Sequence, residues 1–432
     1  MLYVKTAPKD SLVVTGARVL DAVEGVDAAV DVRVDNGVIV AIGTSLERNE
    51  HRVVDGTGLV LAPAFVDPHV HLRTPGREDE ETIASGTAAA AAGGYCAILA
   101  MPNTEPVVDS AAVLGSLVEQ ARTDAAIPVG FLAAITKGQQ GAELTEMGEL
   151  ADAGAAGFTD DGRPVRLPGL MRRALQYASI TDRRLALHEE EPSLSGDGQM
   201  HEGEVSAELG FAGYPSVAES LMVARDLALA AYEGQPLHLM HLSAMESVEL
   251  LAGAQAEGLN ATGEVTPHHL CLTDEAVRSL DPNLKMNPPL RSAEDRAALI
   301  EGLRTGTITC IATDHAPHAR HEKEVPFEEA PFGVTGLETA FAALYTYLVE
   351  PGVLPLETLL ERMSAGPARA YGLEPPRIAV GAPANLVLLD ANAMWQVTER
   401  GFRSRSANSW LLGKTLKGQV KATVAAGRLV FG

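Results

Sequence analysis

Two histidines one residue apart, His69 and His71, close the apolar run AFVDPHVH. Successive side chains of a β-strand point to opposite faces, so residues two apart point the same way. The pair therefore converges, with backbones ~6–7 Å apart, and can share a metal ion at Zn–N distances near ~2.0–2.1 Å. An isolated H-x-H reads as well as a hydrogen-bonded pair at a strand end. What changes the weight is recurrence: His188 ends RLALH, His241 ends PLHLMH, Asp160 and Asp161 follow GAAGFT, and Asp314 ends TITCIATD. Imidazoles and carboxylates without thiolate suit a catalytic zinc rather than a structural one. Six ligands exceed what one zinc needs, so two ions sharing a bridging carboxylate is the economical reading. Such a metal lowers the pKa of its water from about 15.7 to about 7, and a nearby carboxylate can carry the proton to a leaving nitrogen.

The elements that must position these groups are legible as alternation. Eight apolar runs read as strands: 64–71, 95–101, 128–135, 154–159, 184–188, 236–241, 260–265 and 307–314. Segments such as MESVELLAGAQAEG (245–258) and SAEDRAALIEGLRTG (292–306) separate them and read as helices, the second opened by a Ser292 cap and an acidic first turn. Eight strands alternating with helices over about 300 residues predict a (β/α)8 TIM-type barrel, whose chemistry belongs at the C-terminal strand ends. The chemistry-bearing residues fall there. The first sixty and last fifty residues instead alternate short β runs with turns. They are expected to form one small β-sandwich domain, 1–62 plus 374–432, beside a catalytic barrel of 63–373.

Composition bounds the function classes. The chain has 432 residues, 46 % hydrophobic and 21 % charged, which reads as globular. With 57 acidic against 34 basic residues its net charge is −23, which argues against nucleic acid or an anionic membrane as partner. The N-terminus MLYVKTAPKD lacks the apolar core of a signal peptide, and no apolar run reaches membrane-spanning length. Cys96, Cys271 and Cys310 are scattered, indicating neither a disulfide framework nor a thiolate zinc site. A cytoplasmic location is the expectation.

The segments DPHVHLRTPG, MPNT, FTDDGRPV, LHEE, HLMHLS, EVTPHHL, MNPPLR, ATDHAPH and APFGVTG span Asp67 to Gly336. In their order and spacing the chain resembles the class I dihydroorotases of the amidohydrolase superfamily. That resemblance implies reversible zinc-dependent cyclisation of N-carbamoyl-L-aspartate to L-dihydroorotate, in pyrimidine (UMP) biosynthesis. It puts His69, His71 and Asp314 on one Zn2+ and His188 and His241 on a second, with Asp161 bridging; Asp161 stands 27 residues before His188, as the family spacing requires. Asp314 is also the implied general acid/base. Arg73, Asn103 and His318, beside His71, are the implied holders of the substrate carboxylate, and Asn287 with the Phe332–Gly333 backbone those of the pyrimidine ring. One local departure is Glu189-Glu190 after His188, where many relatives have C-E or A-E; it removes no ligand. A homo-oligomer, a dimer, is expected, with aspartate transcarbamoylase a candidate partner.

Other readings weigh less. His238 shares strand 6 with His241, but the family match favours His241. His268 and His269 read as support or packing, His315 as facing away from the metals, and His51, His201 and His321 as loop or surface residues. Asp160 reads as a turn or cap residue. Arg73 could serve a structural salt bridge, but in strand phase with the metal pair it suits an anionic substrate through its planar fork. Among functions, the nearest rival is another cyclic amidase: hydantoinase, dihydropyrimidinase or allantoinase. Those enzymes typically bridge their metals with a carboxylated lysine on strand 4, where GAAGFTDDG has none. A non-catalytic partner subunit of aspartate transcarbamoylase is disfavoured because every matched ligand is present. A nucleic-acid-binding module fails on charge and lacks a basic stripe.

Overall fold

The computed structural model describes residues 1–48 and 50–432. Five strands come first: β1 (Leu12–Asp21), β2 (Val26–Asp35), β3 (Val38–Gly43), β4 (Arg52–Asp55) and β5 (Val60–Pro63). The barrel strands follow as β6 (Phe65–Val70), β7 (Tyr95–Ala100), β8 (Val129–Ala133), β9 (Gly157–Phe158) and β10 (Leu185–Leu187). A short pair, β11 (Met200–His201) and β12 (Gly213–Tyr214), interrupts them. The barrel resumes with β13 (Leu237–Leu239), β14 (Ala261–Val265) and β15 (Cys310–Ile311). The chain ends in β16 (Leu386–Gln396), β17 (Thr415–Ala425) and β18 (Arg428–Phe431).

All eight expected barrel strands are present, each within its predicted segment. They form one parallel sheet in the order β15-β14-β13-β10-β9-β8-β7-β6. The ends meet where His71 N donates to His315 O at 2.9 Å, beside a parallel bridge from Val70 to His315. Runs such as YCAILA in β7 are buried at every position, as strands covered on both faces require. The excursion holding β11 and β12 was not anticipated, because two-residue strands carry no period to read.

The helices Met245–Ala256 and Ala293–Thr305 match the predicted segments. Ser292 caps the second: its hydroxyl accepts from Asp295 N at 3.2 Å, while Asp295 Oδ2 accepts from Ser292 N at 3.2 Å.

The terminal strands join one mixed eight-stranded sheet, in which β16 of the C-terminal segment pairs with β5 of the N-terminal one. This sheet has its own apolar cluster, including Leu12, Val32, Ile39, Leu386 and Val424. Its other contacts, through Val387, Leu389 and Leu416, belong to the barrel's core.

Candidate active site

The strand ends bring one cluster together. His69, the second-to-last residue of β6, is wholly buried; its Nδ1–H donates to Glu264 Oε1 at 2.7 Å. Its Nε2 has no hydrogen-bond partner among the described residues and lies 3.4 Å from Asp314 Oδ1 and 3.6 Å from Asp161 Oδ1. His71 donates from Nδ1 to Asn103 Oδ1 at 3.0 Å, and its Nε2 faces Asp314 Oδ1 at 3.0 Å. His188 donates from Nε2 to Glu190 Oε2 at 2.9 Å, which turns Nδ1 toward His241 Nε2 at 2.9 Å. His69, His71, Asp161, His188, His241 and Asp314 are all buried or nearly so.

Three of these imidazoles thus spend one nitrogen on an outer acceptor. That fixes the tautomer in which the other nitrogen's lone pair points inward, the arrangement metal-binding histidines adopt. Inward lone pairs facing carboxylate oxygens repel unless positive charge lies between them. The electrostatics agree: burial opposes charge on His69, but Asp314 and Asp161 together hold its pKa well above the ordinary value. Burial likewise opposes the Asp161 carboxylate, yet the surrounding histidines keep its pKa well below the ordinary range. The orphaned, buried His69 Nε2 and the all-imidazole and carboxylate donor set therefore fit a metal centre.

Backbone geometry aims two of these groups. His241 and Asp314 have φ of 32° and 47°, and Arg73 has 55°. Non-glycine residues there cost of order 1–3 kcal/mol each and are held only by their surroundings. The chain turns sharply as it leaves β6, β13 and β15, and each turn carries a polar side chain to the barrel mouth.

The residues expected around a substrate are distributed unevenly. Arg73 Nε donates to Pro317 O at 3.1 Å and lies 3.0 Å from Glu80 Oε2; its terminal nitrogens make no hydrogen bond among the described residues. His318 donates from Nε2 to Phe332 O at 2.8 Å. Burial and the neighbouring Arg73 push its pKa down to about 3, so it stays neutral. Asn287 donates to Glu190 Oε2 at 3.2 Å and keeps a buried, unpartnered Oδ1. Asn103, expected at the substrate, spends its amide within the cluster: besides accepting from His71 it donates to Asp161 Oδ2 at 3.0 Å.

Other histidines are accounted for by support. His268 and His269 are buried; His269 donates to Pro288 O at 3.0 Å, and burial lowers the pKa of both. His315 points to Glu81 Oε2 at 3.2 Å, away from the cluster. His238 donates to Glu264 Oε2 at 3.0 Å. Asp160 accepts from the Ile135 and Thr136 amides at 2.8 and 3.1 Å, tying down a turn. His201 is less superficial than expected, since its Nδ1 accepts from Arg291 at 3.2 Å.

Sequence reasoning missed Glu264 and Glu190. Glu264 carried a signal, an acid facing inward from an apolar strand; Glu190 carried only its place two after His188. A separate groove of about 920 Å³ beside Gly234–Pro236 and Glu257–Asn260, at the opposite strand ends, has no histidine in its lining, so cavity size does not mark the chemistry.

Fold and site together define a cyclic amidohydrolase on a (β/α)8 barrel, and solved structures agree. The L-hydantoinase (dihydropyrimidinase) of Arthrobacter aurescens superposes with a TM-score of 0.87 at 26% identity, over 98% of this chain and 96% of that one. A dihydropyrimidinase from Brevibacillus agri shares the fold, with a TM-score of 0.84 at 23% identity over 98% and 95%. A family model described as Dihydro-orotase-like matches residues 58–247. The dihydroorotase of Trichlorobacter lovleyi is 44% identical over 98% of this chain and 99% of its own. That of Pelotomaculum thermopropionicum is 45% identical over 97% and 98%. The chain belongs to the dihydroorotase family.

Proposed function

We propose that this protein is a zinc-dependent dihydroorotase that interconverts N-carbamoyl-L-aspartate and L-dihydroorotate in pyrimidine biosynthesis. The observation that carries this reading is the position of Asp161. Its two oxygens lie 3.6 Å from ring nitrogens of His69 and His71, 3.8 Å from His188 and 3.7 Å from His241. It stands where the hydantoinase-type rivals are expected to have lysine, which favours dihydroorotase over them.

In this reading His69, His71 and Asp314 would hold one zinc, His188 and His241 the other, with Asp161 between them. The ions would supply Lewis-acid activation of water and of the ring carbonyl. The chain's own groups do the rest. Arg73 offers its free guanidinium edge to the substrate carboxylate, flanked by neutral His318 whose one N–H is held by Phe332 O, while Asn287 and the loop at Phe332–Gly333, with the Gly333 N–H held by Lys285 O, shape the space for the ring. In ring opening, water attacks the amide carbonyl, and Asp314 takes its proton and delivers it to the departing ring nitrogen. Ring closure is the reverse, with Asp314 removing the ureido proton. Glu264, Asn103 and Glu190 keep His69, His71 and His188 in the required tautomers.

The division into a 1–62 plus 374–432 terminal domain and a 63–373 barrel belongs to the same proposal, as do a cytoplasmic location and a dimer. No helix among the described residues is long and apolar enough to cross a membrane. The deciding experiment is metal analysis of the purified protein coupled to an L-dihydroorotate hydrolysis assay. Zinc at about two per chain, with activity lost on chelation and restored by zinc, is expected. Full activity after exhaustive chelation, or none with zinc restored, would refute the reading.

A further inference from the structure

The segment Ser404–Ser409 lies between β16 and β17, outside the barrel strands, yet it packs against the loops that follow β6 and β15. Asn408, 6% exposed, uses its whole side chain there. Its Oδ1 accepts from His318 N at 3.0 Å, and its Nδ2 donates to Ala316 O at 3.0 Å and Gly333 O at 3.3 Å. Its backbone carbonyl accepts from Thr335 N at 3.0 Å. Two residues earlier Ser406 Oγ donates to Glu80 O at 2.8 Å, and Glu80 is the carboxylate beside Arg73 Nε.

We infer that Asn408 is a positioning residue for substrate recognition: it locks the His318 loop to the Phe332–Gly333 loop, so that the C-terminal segment sets the site's affinity for its carboxylate-bearing ring. This rests on the dihydroorotase reading above. The two loops meet at contact distance. Gly333 has φ of 115°, and a Cβ there would lie 2.6 Å from Ala316 Cβ. The His318 ring is in turn oriented by its bond to Phe332 O. A primary amide supplies one acceptor and two donors in the span these three backbone groups require. Aspartate keeps the acceptor but sets a carboxylate against two carbonyls, and alanine supplies nothing. The hydrogen bonds of Asn408 go to His318, Ala316, Gly333 and Thr335 and to none of the cluster residues, so its influence runs through where His318 and the loop stand, and it falls on binding.

The test is a double-mutant cycle on the full-length zinc enzyme with L-dihydroorotate, using Asn408→Ala, His318→Ala and both. The expected result for Asn408→Ala is a KM raised about tenfold with kcat within about threefold, reflecting lost binding. In the His318→Ala background the same substitution should raise KM by clearly less than in the wild type, because the His318 ring it positions is gone while its bonds to the Phe332–Gly333 loop remain. Additive effects on KM, or a loss of kcat at unchanged KM, would overturn the inference. If Asn408→Ala does not fold, Asn408→Asp takes its place, and a folded Asn408→Asp with wild-type KM overturns it as well. A wild-type enzyme that does not turn over dihydroorotate defeats the functional reading itself; an active one with an additive cycle defeats this inference alone.

Discussion

His69 Nδ1 is bound to Glu264 Oε1 at 2.7 Å, and the opposite nitrogen of the same ring is buried without a partner between Asp314 and Asp161. Glu264 is itself held from its other oxygen by His238 at 3.0 Å, and Thr262 Oγ1 lies 2.8 Å from that ring's far nitrogen. This chain of contacts runs down the barrel interior and decides which His69 nitrogen faces the site. Burial works against the Glu264 carboxylate, but His238 and His69 hold its pKa down at about 2.

Replacing Glu264 should therefore loosen metal before it alters chemistry. Glu264→Leu removes the acceptor that fixes the tautomer, and loss of such outer partners typically costs about 10–100-fold in metal affinity. Glu264→Gln keeps an acceptor for His69 and should lose less. Zinc affinity by chelator competition checks this, and equal affinity in all three proteins would remove Glu264 from the role.

Asp314→Asn should retain zinc better than it retains turnover. The amide can still coordinate through oxygen but cannot accept the proton, and general acid/base contributions of this kind are worth about 10²–10⁴-fold. Metal content and kcat measured on the same preparation separate the two losses. Near wild-type turnover would exclude Asp314 as the proton carrier.

Much of this site could be read from the chain because strand ends announce themselves: an apolar run stops and a histidine or aspartate follows. The barrel was legible for the same reason. His69, His71, Asp161, His188, His241 and Asp314 come together in space as one cluster. What could not be read lies where the reach is long. Asn408 is 75 residues from Gly333 and 90 from His318, and no local pattern links a serine-rich segment after β16 to a barrel loop. The Asn103 amide was legible as a polar group at a strand end, but which neighbours it would take depended on distances that spacing does not encode.

The loop carrying Phe332 is pinned by two buried lysines. Lys323 Nζ donates to Pro331 O at 2.7 Å and Pro282 O at 3.0 Å, and Lys285 Nζ donates to Phe327 O and Glu328 O at 2.9 Å each. Burial, reinforced by Lys285, pushes the Lys323 pKa down to about 7. An unfolded lysine titrates near ~10.4, so between about pH 7 and 10 the unfolded chain binds the extra proton and stability rises with pH, by up to about 1.4 kcal/mol per unit. Below about pH 7 both states are protonated and this dependence vanishes. Lys323→Met should lack it, so the variant's Tm relative to wild type should fall between pH 7 and 9. A constant difference would show that Lys323 titrates normally.

The barrel should not survive alone. Val387 and Leu389 of β16 belong to the same apolar core as Phe65 and Phe341, and Thr423 Oγ1 donates to Ala91 O at 2.7 Å. Expressing residues 63–373 exposes that surface, and an exposed apolar patch of this kind favours aggregation. Poor solubility is expected. A monodisperse, fully active fragment would show that the terminal sheet is dispensable.

Arg73 gives the sharpest separation between dihydroorotase and its rivals. Its Nε is anchored by Pro317 O and Glu80, which leaves the far edge of the guanidinium free for a planar, two-pronged contact. Lysine keeps the charge but has no second nitrogen with which to anchor and reach at once, so Arg73→Lys should weaken L-dihydroorotate turnover substantially. Charge-assisted hydrogen bonds are worth roughly 1.5–3 kcal/mol, or about 10–150-fold in kcat/KM. Dihydrouracil has the same ring without the carboxylate; its turnover should be poor in the wild type and scarcely altered by the substitution. Measuring kcat/KM for both compounds with both proteins decides the matter. Equal losses on the two substrates would assign Arg73 to the metal site or the fold, and a wild-type preference for dihydrouracil would hand the function to the hydantoinase-like alternative.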